Sequence, residues 1–281
     1  MQMLKAFLPF AVQASLLLMV FAVGLQSSFS DLAYLTRHPR RLLSGLTAVD
    51  IVVPTVATVL IFFTPLPISA RVAIALMAIS PMAPLFPARA LKEGAPHAYV
   101  TGLYAAIILL AVITEPLWVA IQTRIFHTGV SLSPLPVARL VMLTALAPLV
   151  LGLAVSRIIP AARGLARPIN LLGNLILLAL VVLILVKEGG EMLTFVGHGT
   201  LVAIALIVTS GILAGHFLGG PDLHERSALV SAATTRHPGI AGLIAHQSFP
   251  DSHVTLGILL FLLVGIVVSI PYEIMTRRAV R

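Results

Sequence analysis

The chain has 281 residues, of which 59% are hydrophobic and only 10% charged, with a net charge of +8 and no cysteine. Soluble proteins carry roughly 25% charged residues, so this chain, with a mean hydropathy of +1.06, has too little polar surface to cover a water-soluble body of its size. Without thiols there are no disulfides, thiolate metal sites or cysteine nucleophiles, and the basic residues fall in short loops between apolar blocks, a sign of membrane topology rather than of nucleic-acid binding.

The apolar blocks approach 20 residues, the length that crosses a hydrocarbon layer roughly 30 Å thick. Backbone in lipid must hydrogen-bond to itself, so each block is expected as a helix. In chain order the segments are 6–25, 43–63, 72–91, 98–120, 140–155, 169–186, 193–218, 227–246 and 254–274. The first, preceded by Lys5, has the outline of a signal peptide, but Leu25, Gln26, Ser27 and Ser28 offer no small-x-small cleavage site, and it is read as a span. No linker is long enough for a soluble domain, so residues 1–281 are read as one membrane unit. Trp118 and Tyr272 lie near opposite ends of their segments, where amphipathic rings anchor at the lipid interface.

Two segments break the pattern. The third contains Pro81, Pro84 and Pro87 within one short stretch. Each proline removes a backbone donor and clashes with the preceding turn, so an unbroken helix is not expected there. The eighth contains Thr234, Thr235, Arg236, His237, Pro238 and Gly239, a polar and cationic interruption of an apolar run. Irregular backbone at that depth requires cover from protein or a watery cavity, and a pair of interrupted helices points to a transporter binding site.

Lys and Arg counts set the expected orientation. With the N-terminus outside, twelve fall on the cytoplasmic side, among them Arg37, Arg40, Arg41, Arg89, Lys92 and Arg281, and five outside, with Arg236 left within the membrane. The bias predicts a multi-pass protein of the cell inner membrane with its C-terminus in the cytoplasm.

At these residues the sequence resembles the bile acid:sodium symporter family. The resemblance runs from Gly24 and Leu25 through the loop Phe29, Ser30, Asp31 and Leu32 to Arg37, His38 and Pro39, then Pro54 in the second span. It continues with Ser80 and Pro81 at the first break, Thr114, Glu115 and Pro116 closing the fourth span, and Pro238, Gly239, Ile240 and Ala241 at the second. It implies an all-α membrane protein of about nine transmembrane helices with an inverted-repeat transporter fold, repeats over about 1–125 and 135–281, and core plus panel domains in which two broken helices cross. Relative to ten-span members, the resemblance implies that this chain is expected to lack the first helix. Sodium-coupled members carry a Ser-Asn pair where this chain has Phe86 and Pro87, and a Glu followed by Gln-Asn where it has Ala232, Arg236 and His237. Phe, Pro and Ala supply no side-chain oxygen to a small hard cation, and a guanidinium repels one, so the sodium sites are read as dismantled.

Arg236 is the leading functional candidate, because a charged side chain deep in a span costs roughly 2.5–3.5 kcal/mol on insertion scales unless paired or hydrated. It either replaces sodium or binds an anion through its fork of donors; the plainer alternatives are snorkelling and a structural contact that holds the break. Asp50 is its expected partner, or, if unpaired, a proton carrier. His237 is a candidate proton coupler, with simple hydrogen bonding as the plainer role. Glu115 is expected to face interfacial water or to line an access path. Thr234 and Thr235 satisfy freed carbonyls or contact substrate, and Pro81, Met82 and Pro84 line the substrate site from the first break. Arg89 and Lys92 are read as cytoplasmic anchors, and half-helix N-termini at the breaks suit a carboxylate or sulfonate.

The expected function is secondary transport of a small organic anion, coupled to protons or uncoupled, with a sodium-coupled symporter carrying a rearranged sodium site as the alternative. The alternative of another class is an intramembrane enzyme or a ligand-trapping receptor. The sequence holds no His-Glu-x-x-His, no paired-aspartate motif and no Gly-x-Ser-x-Gly turn, so an enzyme is not expected. No metal site or cofactor is expected, with sodium left open. The expected partners are the organic anion and the lipid bilayer, without nucleic acid and with a homodimer left open.

Overall fold

A computed structural model describes residues 2–126, 133–192, 199–249 and 252–279. Its described residues form twelve helices and no strand: α1 (Gln2–Gln26), α2 (Phe29–Arg37), α3 (Pro39–Phe63), α4 (Ile68–Ile79), α5 (Phe86–Lys92), α6 (His97–Phe126), α7 (Pro134–Ile158), α8 (Ala166–Met192), α9 (Thr200–Leu218), α10 (Leu223–Thr234), α11 (Pro238–Ser248) and α12 (Ser252–Ala279). Seven of them, α1, α3, α6, α7, α8, α9 and α12, are long and apolar enough to cross a bilayer. The chain is therefore a multi-pass membrane protein. The expected segments 72–91 and 227–246 are each divided between two short helices, α4 with α5 and α10 with α11. The start of the expected 193–218 segment (193–198) and Arg281 lie outside the described residues.

The loop expected after the first span is instead a helix, α2. Ser28 caps it, its hydroxyl accepting from the Asp31 N–H while the Asp31 carboxylate accepts from the Ser28 N–H. This reciprocal arrangement satisfies two otherwise orphaned donors. The fourth span does not close at Pro116 as expected; α6 runs through that proline to Phe126.

α1, α7 and α8 pack as one group, with α1 between the other two. Its helices approach backbone to backbone: a Cβ on Gly24 would lie 2.3 Å from the Leu149 carbonyl oxygen, and one on Gly152 2.3 Å from that of Phe21. Small residues permit such approach, which drives packing where lipid is as apolar as leucine. The second group gathers α3, α4, α9, α10 and α12 around the two interruptions, with α6 lying between it and α7.

α3 and α7 each widen into a π-helical turn, at Thr47–Val52 and Met142–Leu146. Each turn ends just before a proline, Pro54 or Pro148. A proline offers no N–H to the carbonyl one turn back, and a π turn is one way the chain accommodates that missing bond. In α3 the consequence reaches the functional site.

Candidate functional site

α4 ends at Ile79, and Ser80 turns into extended backbone (φ −57°, ψ 144°). The chain stays extended through Pro81, Met82 and Ala83 before α5 begins at Phe86. α10 ends at Thr234, where Thr235 (φ −90°, ψ 88°) and His237 (φ −92°, ψ 90°) flank Arg236 out of helical register, and Pro238 opens α11. The two extended pieces meet. Met82 and Arg236 form an antiparallel bridge, and the Ala83 N–H donates to the Thr235 carbonyl at 3.1 Å. Backbone groups released by one break are thus satisfied by the other, as burial away from water demands.

Arg236 is 2% exposed, so its side chain does not snorkel. Its Nη2 donates to the Val49 carbonyl at 2.7 Å and its Nη1 to the Ser80 carbonyl at 3.1 Å. Prolines explain why those oxygens are free. Pro54 cannot donate to Val49 in π register or to Asp50 in α register, and Ser80, held extended ahead of Pro81, has left the helix, so no following turn reaches its carbonyl. The Trp118 indole N–H fills the Asp50 carbonyl at 2.7 Å, which corrects the expectation that this ring anchors at the lipid interface. A guanidinium thus stands where main-chain oxygens from two helices converge, and it supplies the positive charge they attract.

The expected Asp50–Arg236 ion pair is not formed. The cation's hydrogen bonds go to main-chain oxygens, while Asp50 Oδ2 is buried without a partner, as is Arg236 Nε. The physical reason is the two proline-orphaned carbonyls, which take both Nη groups. Asp50 remains within electrostatic reach of the guanidinium, as does Glu115. Glu115 is 1% exposed with both carboxylate oxygens buried and unpartnered, which overturns its expected place in interfacial water. It sits on the inner face of α6 one turn before Trp118, the residue that docks on Asp50.

His237 is buried, and its Nδ1 accepts from the Ile240 N–H at 3.4 Å, capping α11, while Nε2 has no partner. The Thr234 hydroxyl donates to the Val230 carbonyl at 2.9 Å, the structural option for that residue. Pro81, Met82 and Pro84 are all buried at the bridge. Thr234, Thr235 and Arg236 line one pocket, together with Arg89 and Ser269. Sequence reasoning missed Trp118 and the Gln122–Thr58 side-chain bond (3.2 Å) as cross-links between α6 and α3. Their signal was the spacing of Glu115, Trp118 and Gln122 along one face of α6.

The sequence model of the Sodium Bile acid symporter family matches residues 14–195, a stretch that takes in α3, the first break and α6 and stops short of the second. A comparison with curated proteins gives no match. The matched region exceeds half of the 281 residues, and its helices include the carbonyls on which Arg236 closes; the chain belongs to the sodium bile acid symporter family.

Proposed function

We propose that this protein is a secondary transporter of small organic anions in which Arg236 takes over the place of a coupling cation. One observation carries the reading: a buried guanidinium is fixed by the Val49 and Ser80 carbonyls at the junction of two broken helices. A tethered charge neutralises the same oxygens in every state of the cycle, so the protein needs no sodium there and draws on a proton gradient or on the anion's own gradient. The family supports transport itself. Counting each broken pair as one crossing, beside the seven long helices, gives the nine passes expected from hydropathy. On this reading α1, α7 and α8 belong to the panel, the broken helices to the core, and the two halves are inverted repeats in the inner membrane with the N-terminus outside.

Thr235 and the Nε side of Arg236 offer the anion its donors, with Thr234 lining the same pocket beside buried Pro81, Met82 and Pro84. His237, Asp50 and Glu115 are the groups close enough to exchange protons with the site. The test is uptake of radiolabelled taurocholate and of small carboxylates into proteoliposomes, driven in turn by sodium and by proton gradients. Uptake that follows the proton or anion gradient, ignores sodium and vanishes in Arg236→Ala is expected. Uptake that requires sodium would refute the proposal in favour of a rearranged sodium site.

A further inference from the structure

Arg89 was expected to be a cytoplasmic anchor, but it lines the same pocket as Arg236. The pocket is lined from α5, α10 and α12, and its two cations differ in depth: Arg236 is deeply buried, whereas the Arg89 side chain is 33% exposed. Thr234, Thr235 and Ser269 give it hydroxyls, and Phe261 and Ile266 give it an apolar wall. On α12, Phe261, Gly265, Ser269 and Glu273 recur every four residues and therefore share one face. Glu273 thus stands one turn beyond Ser269, and its carboxylate pairs with the Arg89 guanidinium. Arg89 also lies 3.6 Å from Glu93 on its own helix.

We propose that Arg89 is the outer anion-binding residue of this shaft and Glu273 its resident carboxylate, exchanged for the carboxylate or sulfonate of an entering amphipathic anion. The chemistry is a like-for-like exchange. A guanidinium binds any carboxylate or sulfonate through the same fork of N–H donors. An anion that replaces Glu273 keeps the cation satisfied while its apolar body follows the α12 wall inward to Arg236. Until then the Arg89–Glu273 pair ties α5 to α12 across the mouth. This deepens the transporter reading and rests on it only for the direction of travel.

The protein contains no cysteine, so Ser269→Cys introduces a unique thiol inside the shaft. The solubilised, monodisperse protein is treated with an anionic (sulfonatoethyl) and a cationic (trimethylammonioethyl) methanethiosulfonate, each rate normalised to a free thiol. Because the anionic reagent's sulfonate can replace Glu273 on Arg89 and then meets Arg236, it is expected to react about tenfold faster than the cationic one. The preference falls to about twofold in Arg89→Gln and is kept in Arg89→Lys, which retains the charge. Glu273→Gln speeds the anionic reagent further. Equal rates for the two reagents, an unchanged preference in Arg89→Gln, or no labelling in any background would each overturn the proposal. Because the assay needs no flux, a lost preference with uptake intact refutes the Arg89 site alone. A preserved preference without uptake of any anion supports the site and refutes the transporter reading.

Discussion

The α1–α7–α8 group and the region of the two breaks solve the same problem in opposite ways. In the first, the buried hydroxyls of Ser15, Ser27, Thr144 and Ser156 each bond to a carbonyl of their own helix, so nothing polar needs to reach a neighbour. Glycines then let the backbones touch. In the second, prolines strip donors from the helices, and the orphaned oxygens are satisfied from elsewhere, by Arg236 and Trp118. The first group is fixed by shape. The second is fixed by a few directed bonds from Arg236 and Trp118.

The contrast can be broken from either side. The largest effect is expected from Gly152→Val, whose Cβ would press on a backbone oxygen of α1 rather than on a yielding side chain. Overpacking of that kind costs about 3 kcal/mol or more, and the variant should yield no monodisperse peak on size exclusion. Next comes Arg236→Ala, which leaves two buried carbonyls without donors, at about 2–4 kcal/mol in all. Its thermal midpoint in detergent should fall well below wild type, with only partial recovery in Arg236→Lys, because an ammonium lacks the guanidinium's two-pronged reach. An unchanged midpoint would mean the bonds at the breaks carry no stability. Trp118→Phe keeps the ring and removes only the donor to Asp50, an expected loss of about 1–2 kcal/mol in the same melt. The smallest change is Ser28→Ala, about 1 kcal/mol from the lost cap. It should appear as faster amide exchange confined to α2, with both regions under comparison unaltered.

Much of this molecule can be read from residue order. Long apolar blocks dictate membrane helices, and Pro81, Pro84 and Pro238 mark where two of them fail, because a missing N–H is a local fact. What fills the gap is not local. Charge alone suggested that Arg236 seeks Asp50, yet it closes on carbonyls freed by Pro54 and Pro81, a demand visible only when each proline is counted for the acceptors it leaves open upstream. Glu115 lies near the end of a hydropathy window and so looked solvated, but α6 extends beyond that window and turns the residue inward. Arg89 reads as an anchor because its partner Glu273 lies on the last helix. The cap of α2 is legible in Ser28 and Asp31, but a search for long apolar blocks does not register the helix, since it is short and amphipathic.

The bridge between the breaks also dictates an order of assembly. The Ala83 amide is made about 150 residues before its acceptor, Thr235. Until the ribosome has delivered that residue, the first interruption sits in the nascent protein with its peptide groups unmet. The early helices can therefore enter the bilayer but cannot complete their junction. The junction can close only once residues far downstream of the first break have been made.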